Sequence, residues 1–226
     1  MIRITFIADT HGKHDFLTKM GDLPGGDILI VAGDITMRGY FTELENFVKW
    51  LNGLKQYTHK IFIAGNHDFC FEDTYNQAKI VVANYENITY LQDEIINVDG
   101  IWIYGTPWQP RFFNWAFNLD RNGDELKAKW DMIPKKTDLL ITHGPPFGIL
   151  DVLKRGEHMG CELLTERVKI VKPKIHVFGH NHFAYGYKEE DDTVYVNAAV
   201  VNEQYIYANK PITIDCDFKN NRFIFN

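Results

Sequence analysis

Residues 60–68 read Lys60-Ile61-Phe62-Ile63-Ala64-Gly65-Asn66-His67-Asp68. A short apolar run closed by glycine and then by amide, imidazole and carboxylate reads as a strand buried in an α/β sheet, with the following loop carrying chemistry. The pattern recurs four times. Ile2 to Ala8 runs into Asp9-Thr10-His11, and Ile28 to Ala32 into Gly33-Asp34. Leu139 to Thr142 leads to His143-Gly144, and Ile175 to Phe178 to Gly179-His180-Asn181-His182. In open α/β sheets, sites are built outside the carboxyl ends of the strands, because a rigid strand fixes the first residue of the loop. Five such ends bearing polar ligand-type residues point to one shared site.

Taken singly, the segments are ambiguous. Asp9 and His11 alone also read as a loop start whose aspartate caps the next helix, and Gly33-Asp34 alone reads as a turn. The two imidazoles of Gly179-His180-Asn181-His182 are harder to explain by packing, and the ordered set favours a metal site over five coincidences.

Carboxylate, imidazole and amide oxygen without thiolate suit divalent Mn, Fe, Co, Ni or Zn better than a soft-metal cluster or an all-oxygen calcium cage. Two such ions roughly 3.5–4 Å apart can clamp both oxygens of an in-line displacement at phosphorus and supply a hydroxide nucleophile at neutral pH. A carboxylate must hold them together. Asp34, the only ligand-type residue at its strand end, is the natural bridge.

The ordered blocks resemble the calcineurin-like metallophosphoesterases, whose pattern is DxH, GDxx, GNH[DE], GH and GHxH. Pro107-Trp108-Gln109-Pro110, Asn114-Trp115-Ala116-Phe117-Asn118-Leu119, His143-Gly144-Pro145-Pro146 and Gly160-Cys161-Glu162-Leu163-Leu164 are similar to the metallophosphoesterase-domain (MPPED, 239AB-type) subgroup. The resemblance implies an α/β fold, a four-layer α/β/β/α sandwich of two mixed sheets flanked by helices. It implies that Asp9, His11, Asp34 and His182 hold one ion, and Asp34, Asn66, His143 and His180 the other. His67 would be catalytic rather than a ligand, sitting beside the substrate phosphate with Asp68 orienting it. The implied activity is dinuclear-metal hydrolysis of small phosphate esters, with phosphodiesters such as cyclic or linear nucleotides favoured. Phosphomonoesterase, nuclease and non-catalytic metal-bound scaffold are the alternatives.

Composition bounds this reading. With 226 residues, 45% of them hydrophobic, the chain can bury a sizeable core, and no linker, repeat or low-complexity stretch divides it, so a single domain over 1–226 is expected. The net charge, 24 − 30 = −6, implies no broad basic face for duplex nucleic acid. Cys70, Cys161 and Cys216, an odd number without CxxC spacing, fit a reducing compartment. No run approaches a membrane span, and a cytoplasmic protein is expected.

Helical spacing puts Leu44, Phe47, Val48 and Leu51 on one face of Glu43 to Leu54, and Leu163, Leu164, Val168 and Val171 on one face of Gly160 to Val171. Asp124 to Ile133 reads likewise, with Leu126, Trp130 and Ile133. Further strands are expected at Ile88 to Leu91, Ile95 to Val98, Ile101 to Gly105, Thr193 to Val196, Ile212 to Ile214 and Arg222 to Phe225, with short hairpin connections at Asp99-Gly100 and Asp217 to Asn221.

Outside the blocks, Arg38 and Arg111 read either as phosphate-binding forks or as surface ion pairs. Trp108, Phe112, Phe113, Trp115 and Phe117 read mostly as core, with one or two as a base-stacking wall. Trp108, on a loop stiffened by Pro107 and Pro110, is the expected substrate platform, and that loop is expected to border the site. His14 reads as facing solvent or reaching substrate, and His59 and His176 as structural.

Overall fold

A computed structural model describes all 226 residues. Four strands open the chain: β1 (Ile2–Ile7), β2 (Gly26–Ala32), β3 (Tyr57–Ile63) and β4 (Ile88–Tyr90). They pair in parallel in that order. The chain then crosses to a second sheet through β5 (Glu94–Val98) and β6 (Ile101–Thr106), an antiparallel hairpin. Its turn residues Asp99 and Gly100 sit at φ 50° and 87°, the left-handed pair that a two-residue hairpin requires.

After a two-stranded ribbon, β7 (Gln109–Pro110) with β8 (Asn118–Leu119), the second sheet grows through β9 (Leu139–Thr142), β10 (Ile175–Phe178), β11 (Gly186–Glu190) and β12 (Thr193–Asn197). Finally β13 (Ile212–Asp217) and β14 (Arg222–Phe225) return to extend the first sheet antiparallel to β1. Each sheet has six strands, in the orders β14-β13-β1-β2-β3-β4 and β11-β12-β10-β9-β6-β5. Both are mixed.

Period-2 alternation of the strands separates three cores. Between the sheets, Ile4, Phe6, Ile28, Ile30, Ile61 and Ile63 meet Ile103, Leu139, Ile141, Ile175, Val177 and Val196. On the outer face of the first sheet, Leu29, Val31 and Phe62 pack under α2 (Phe41–Gly53) and α4 (Tyr75–Ala83) through Leu44, Phe47, Leu51, Ala78 and Val82. On the outer face of the second, Tyr104, Leu140, Phe178 and Tyr195 pack under α5 (Asp124–Asp131) and α6 (Glu162–Val171) through Leu126, Trp130, Leu164 and Val168. The result is α/β/β/α. Because the central strands are covered on both faces, they read as continuous apolar runs rather than alternating ones. Two five-residue helices, α1 (Asp15–Lys19) and α3 (Phe69–Asp73), follow the first and third strand-end loops.

Beyond β1 the chain leaves its own sheet. The Ala8 N–H donates to Ala198 O at 2.8 Å and the Val200 N–H to Ala8 O at 3.0 Å, a bridge that ties the end of β1 to the end of β12. This stitch brings the carboxyl ends of the parallel strands of both sheets to one place.

Candidate metal centre and substrate pocket

Every residue of the five blocks sits just past a parallel strand: Asp9 and His11 after β1, Asp34 after β2, Asn66 and His67 after β3, His143 after β9, and His180 and His182 after β10. Four of them, Asp9, His11, Asp34 and His180, have φ between 45° and 65°. Non-glycine residues rarely adopt such backbone, which costs on the order of 1–3 kcal/mol each and clusters where geometry serves a site. The glycines before them are required by close approach. A Cβ on Gly179 would lie 2.2 Å from Asp9 Oδ2, and one on Gly65 would lie 2.3 Å from Asp34 Oδ1.

The donor atoms fall into overlapping groups, each within 4.8 Å: Asp9, His11 and His182; His11, Asp34 and His67; Asp34, His143 and His180. Asp34 lies at the junction. Its Oδ2 is 3.7 Å from His11 Nε2, 3.4 Å from His143 Nε2 and 4.0 Å from His67 Nε2, while its Oδ1 accepts the His67 backbone N–H at 2.8 Å. Asn66 Oδ1 is 2.9 Å from His143 Nε2.

These side chains fit divalent ions. Metal-ligating imidazoles are fixed by a hydrogen bond from the far ring nitrogen. His143 Nδ1–H donates to Ala32 O at 3.0 Å, and His182 Nδ1–H donates to Asn202 O at 3.1 Å, leaving both Nε2 atoms turned to the carboxylates. His11 Nε2 faces His182 Nε2 at 3.3 Å, a spacing suited to two donors sharing one cation at roughly 2.0–2.1 Å. His11 Nδ1 is buried without a partner.

Electrostatics agree with a site built for positive charge. Burial works to raise the Asp34 and Asp9 carboxyls, but the neighbouring histidines, His143 foremost for Asp34 and His182 for Asp9, hold both below their ordinary values. Burial works to lower His143, but Asp34 and Asp9 bring it up to about 9. Burial takes His11 down to about 4, and burial with His143 takes His180 down to about 3.

His67 is clamped rather than paired. Its Nδ1–H donates to Met37 O at 2.8 Å, and its ring stacks on Trp115 with centroids 4.0 Å apart. Asp68 does not orient it. The Asp68 carboxylate instead accepts the N–H groups of Gly65 (2.7 Å), Ile35 (3.2 Å) and Thr36 (2.9 Å) and the Thr36 hydroxyl (2.6 Å), locking the loop after β3 to the loop after β2. An aspartate next to four nearby donors satisfies them before reaching a side chain that turns the other way. Burial and Asp34 raise its pKa to about 6.

A pocket of about 320 Å³ opens onto Asp34, Asn66, His67, His180 and His182. From β7 and the residues that follow it, Gln109, Pro110, Arg111 and Phe112 line it, and Phe112 meets His180 edge-on at 5.4 Å. Trp108 does not line it. Its indole N–H donates to Asp93, and Lys129 sits 4.3 Å over its ring, so the expected platform is engaged elsewhere by an acidic neighbour that desolvated indole requires. Of the remaining aromatics only Phe117 is fully buried, Phe113 is exposed, and Trp115 backs His67. Arg111 is in the wall with its Nε held by Asp120 at 3.0 Å. Arg38 is exposed, outside the wall, with its guanidinium 5.8 Å from the Trp115 ring centre. His14 neither faces solvent nor lines this pocket: it is 5% exposed, packed against Phe47 and Trp50 because α1 folds back onto α2. His176 is buried, as a structural role requires.

Two features of the pocket carry no motif signal. Arg121 lines it but is spent on Met159 O, Gly160 O and Glu162. Tyr205 lines it from a loop after β12.

A sequence profile described as calcineurin-like phosphoesterase matches residues 2–184. The chain belongs to the calcineurin-like phosphoesterase family. Metallophosphoesterase domain-containing protein 1 of Homo sapiens is 42% identical over 94% of this chain and 70% of its own length, in keeping with the MPPED-type resemblance of the motifs. A Caenorhabditis elegans protein of the UPF0046 group is 40% identical over 95% of this chain and 60% of its own length. Among solved structures, TT1561 of Thermus thermophilus superposes with a TM-score of 0.68 at 14% identity, covering 100% of this chain and 98% of that one, which shows the shared fold. No helix is long and apolar enough to cross a membrane. The chain is thus a member of a metallophosphoesterase family and carries His/Asp clusters suited to divalent metals.

Proposed function

We propose that the chain is a dinuclear-metal hydrolase of small phosphodiesters carrying a flat, apolar organic group, with nucleotides as the leading substrate class. The observation that carries this reading is Asp34 Oδ2, placed 3.7 Å and 3.4 Å from imidazoles of two different donor groups. Asp9, His11, Asp34 and His182 would hold one ion and Asp34, Asn66, His143 and His180 the other. When bound, such ions supply Lewis acidity at phosphorus and a nucleophile at neutral pH.

The protein does the rest. The bond to Met37 O keeps the His67 Nδ1 proton in place and turns Nε2 toward Asp34, where it can hold a proton for the leaving oxygen. Trp115 keeps the ring from rotating away. The composition of the pocket wall supports a preference for diesters. Arg111 is its one guanidinium with terminal nitrogens free of protein partners, Arg121 being consumed by its loop. A monoester dianion gains more from cations than a singly charged diester. Phe112 and Phe183 supply apolar surface for the organic part, where stacking a base contributes roughly 1–3 kcal/mol. The three unpaired, buried thiols support a reducing, cytoplasmic setting, and −6 net charge supports small ligands over duplex nucleic acid.

The test is a panel on protein loaded with Mn, Fe, Co, Ni or Zn, comparing cyclic nucleotides, linear diesters, monoesters and oligonucleotides. Diesters are expected to turn over fastest. Faster monoester turnover reverses the preference, and no turnover on any ester with both ions bound makes the protein a scaffold.

A further inference from the structure

We propose that the hydroxyl of Tyr205 touches the substrate, donating a hydrogen bond to a non-bridging phosphoryl oxygen. The proposal rests on the phosphoesterase reading above and adds to it a residue outside the five motif blocks and outside the matched residues 2–184.

Four observations converge on Tyr205. It lines the pocket shared by Asp34, Asn66 and His67. Its ring stands edge-on to three site histidines, with centroids 4.7 Å from His11, 5.3 Å from His182 and 6.0 Å from His67. The ring therefore spans one donor group and the proposed acid.

Its hydroxyl is also free. Tyr207 and Tyr185 nearby give theirs to Asp22 and to Lys210 O, whereas the Tyr205 hydroxyl has no partner in the protein and is not sealed from solvent. A half-buried phenol with an unused donor at the wall of an anion-handling pocket is a recognition group.

Finally, the backbone is built to hold it there. Tyr205 has φ 58°, a conformation that a bulky aromatic residue rarely adopts. Its N–H donates to Asn202 O at 2.8 Å, and the Asn202 side chain accepts the N–H groups of Gln204 and Ile206 at 3.0 Å each. Lys13 Nζ donates to Tyr205 O. Asn202 O is the same carbonyl that orients His182, so the phenol and a candidate ligand are set by one anchor.

The chemistry suits a neutral donor. The buried carboxylates Asp9 and Asp34 are committed to the site's imidazoles and to the ions they would hold. An O–H group meets a phosphoryl oxygen without bringing a further basic side chain to compete for those carboxylates.

The decisive comparison is Tyr205→Phe, which keeps the ring packing and removes one oxygen. Binding of inorganic phosphate and of orthovanadate to metal-loaded protein is measured by calorimetry, metal content by elemental analysis, and kcat and KM on a diester. Loss of a hydrogen bond to a charged acceptor predicts roughly 10–100-fold weaker anion binding with two ions retained, and a fall in kcat where the contact tightens in the transition state. Phosphate affinity within twofold of wild type overturns the proposal, as does loss of metal by Tyr205→Phe, which would make the hydroxyl a support for the ligands. Wild-type protein that binds phosphate but hydrolyses no ester defeats the function proposed above while leaving the anion-binding comparison intact. Wild-type protein that binds no phosphate defeats the Tyr205 contact too.

Discussion

Loading the site with metal should expel a proton from His143, and the amount follows from the geometry. In the metal-free protein, His143 Nδ1–H is committed to Ala32 O, so any second proton sits on Nε2, 3.4 Å from Asp34 Oδ2. That is where a cation would bind. Burial opposes this proton, but Asp34 and Asp9 raise the pKa to about 9, so at pH 7.5 His143 is almost wholly imidazolium. His11 at about 4 and His180 at about 3 are already neutral and release nothing. Burial works to lower His182, but its bond to Asp9 holds it above its ordinary value. Ligands must be deprotonated to bind metal. His143 alone therefore strengthens apparent affinity about ninefold between pH 7 and pH 8, where an ordinary imidazole would give about 1.3-fold. Long-range ¹H–¹⁵N spectra of chelator-treated protein should show His143 as imidazolium through pH 8 beside neutral His11 and His180. Calorimetry in two buffers of different ionisation enthalpy should count at least one proton released per protein, the one His143 supplies. A neutral His143 at pH 7.5 in the metal-free protein would refute the reasoning.

Two further perturbations separate chemistry from architecture. His67→Gln should keep both ions by elemental analysis and lose roughly 10²–10⁴-fold in turnover on an ester with a poor leaving group, but less on an activated aryl ester; equal losses on both would remove the acid role. His176 is buried among Phe178 and Tyr195, donates from Nε2 to the Thr142 hydroxyl at 2.8 Å, and has no partner for Nδ1, so burial lowers its pKa to about 3. A folded-state pKa below the unfolded 6.5 means stability is intact above pH 6.5 and lost as pH falls toward 3, about 2 kcal/mol of it by pH 5. His176→Gln should abolish that part of the loss in urea titrations at pH 7 and pH 5, and an unchanged loss would place the acid sensitivity elsewhere.

What the sequence made legible was whatever depended on a strand and its first loop residue. Central strands such as β1, β2 and β3 are apolar on both faces because each faces a core, so they announce themselves, and the residue after a rigid strand end has little freedom to be anywhere else. The glycines at 65 and 179 are legible for the same reason, since a Cβ would strike Asp34 or Asp9. β11 was not legible: it is an edge strand, GYKEE, with no residue fully buried, and so carries no apolar pattern. α1 and α3, five residues each, are too short for helical periodicity to register.

Side-chain direction was the deeper blind spot. Asp68 stands next to His67 in sequence, yet its carboxylate turns to four donors on two loops, while Met37 O, thirty residues upstream, orients the imidazole. Trp108 and Trp115 are both aromatic residues on one connection, yet only Trp115 meets a site histidine, because Asp93 captures the other indole. Tyr205 falls on a loop whose strained turn is set by Asn202, and Asn202 matters only because His182 folds onto its carbonyl. Spacing along the chain can place ligands at strand ends; which neighbour then claims each ring or carboxylate is decided by competition among donors and acceptors that the fold alone assembles.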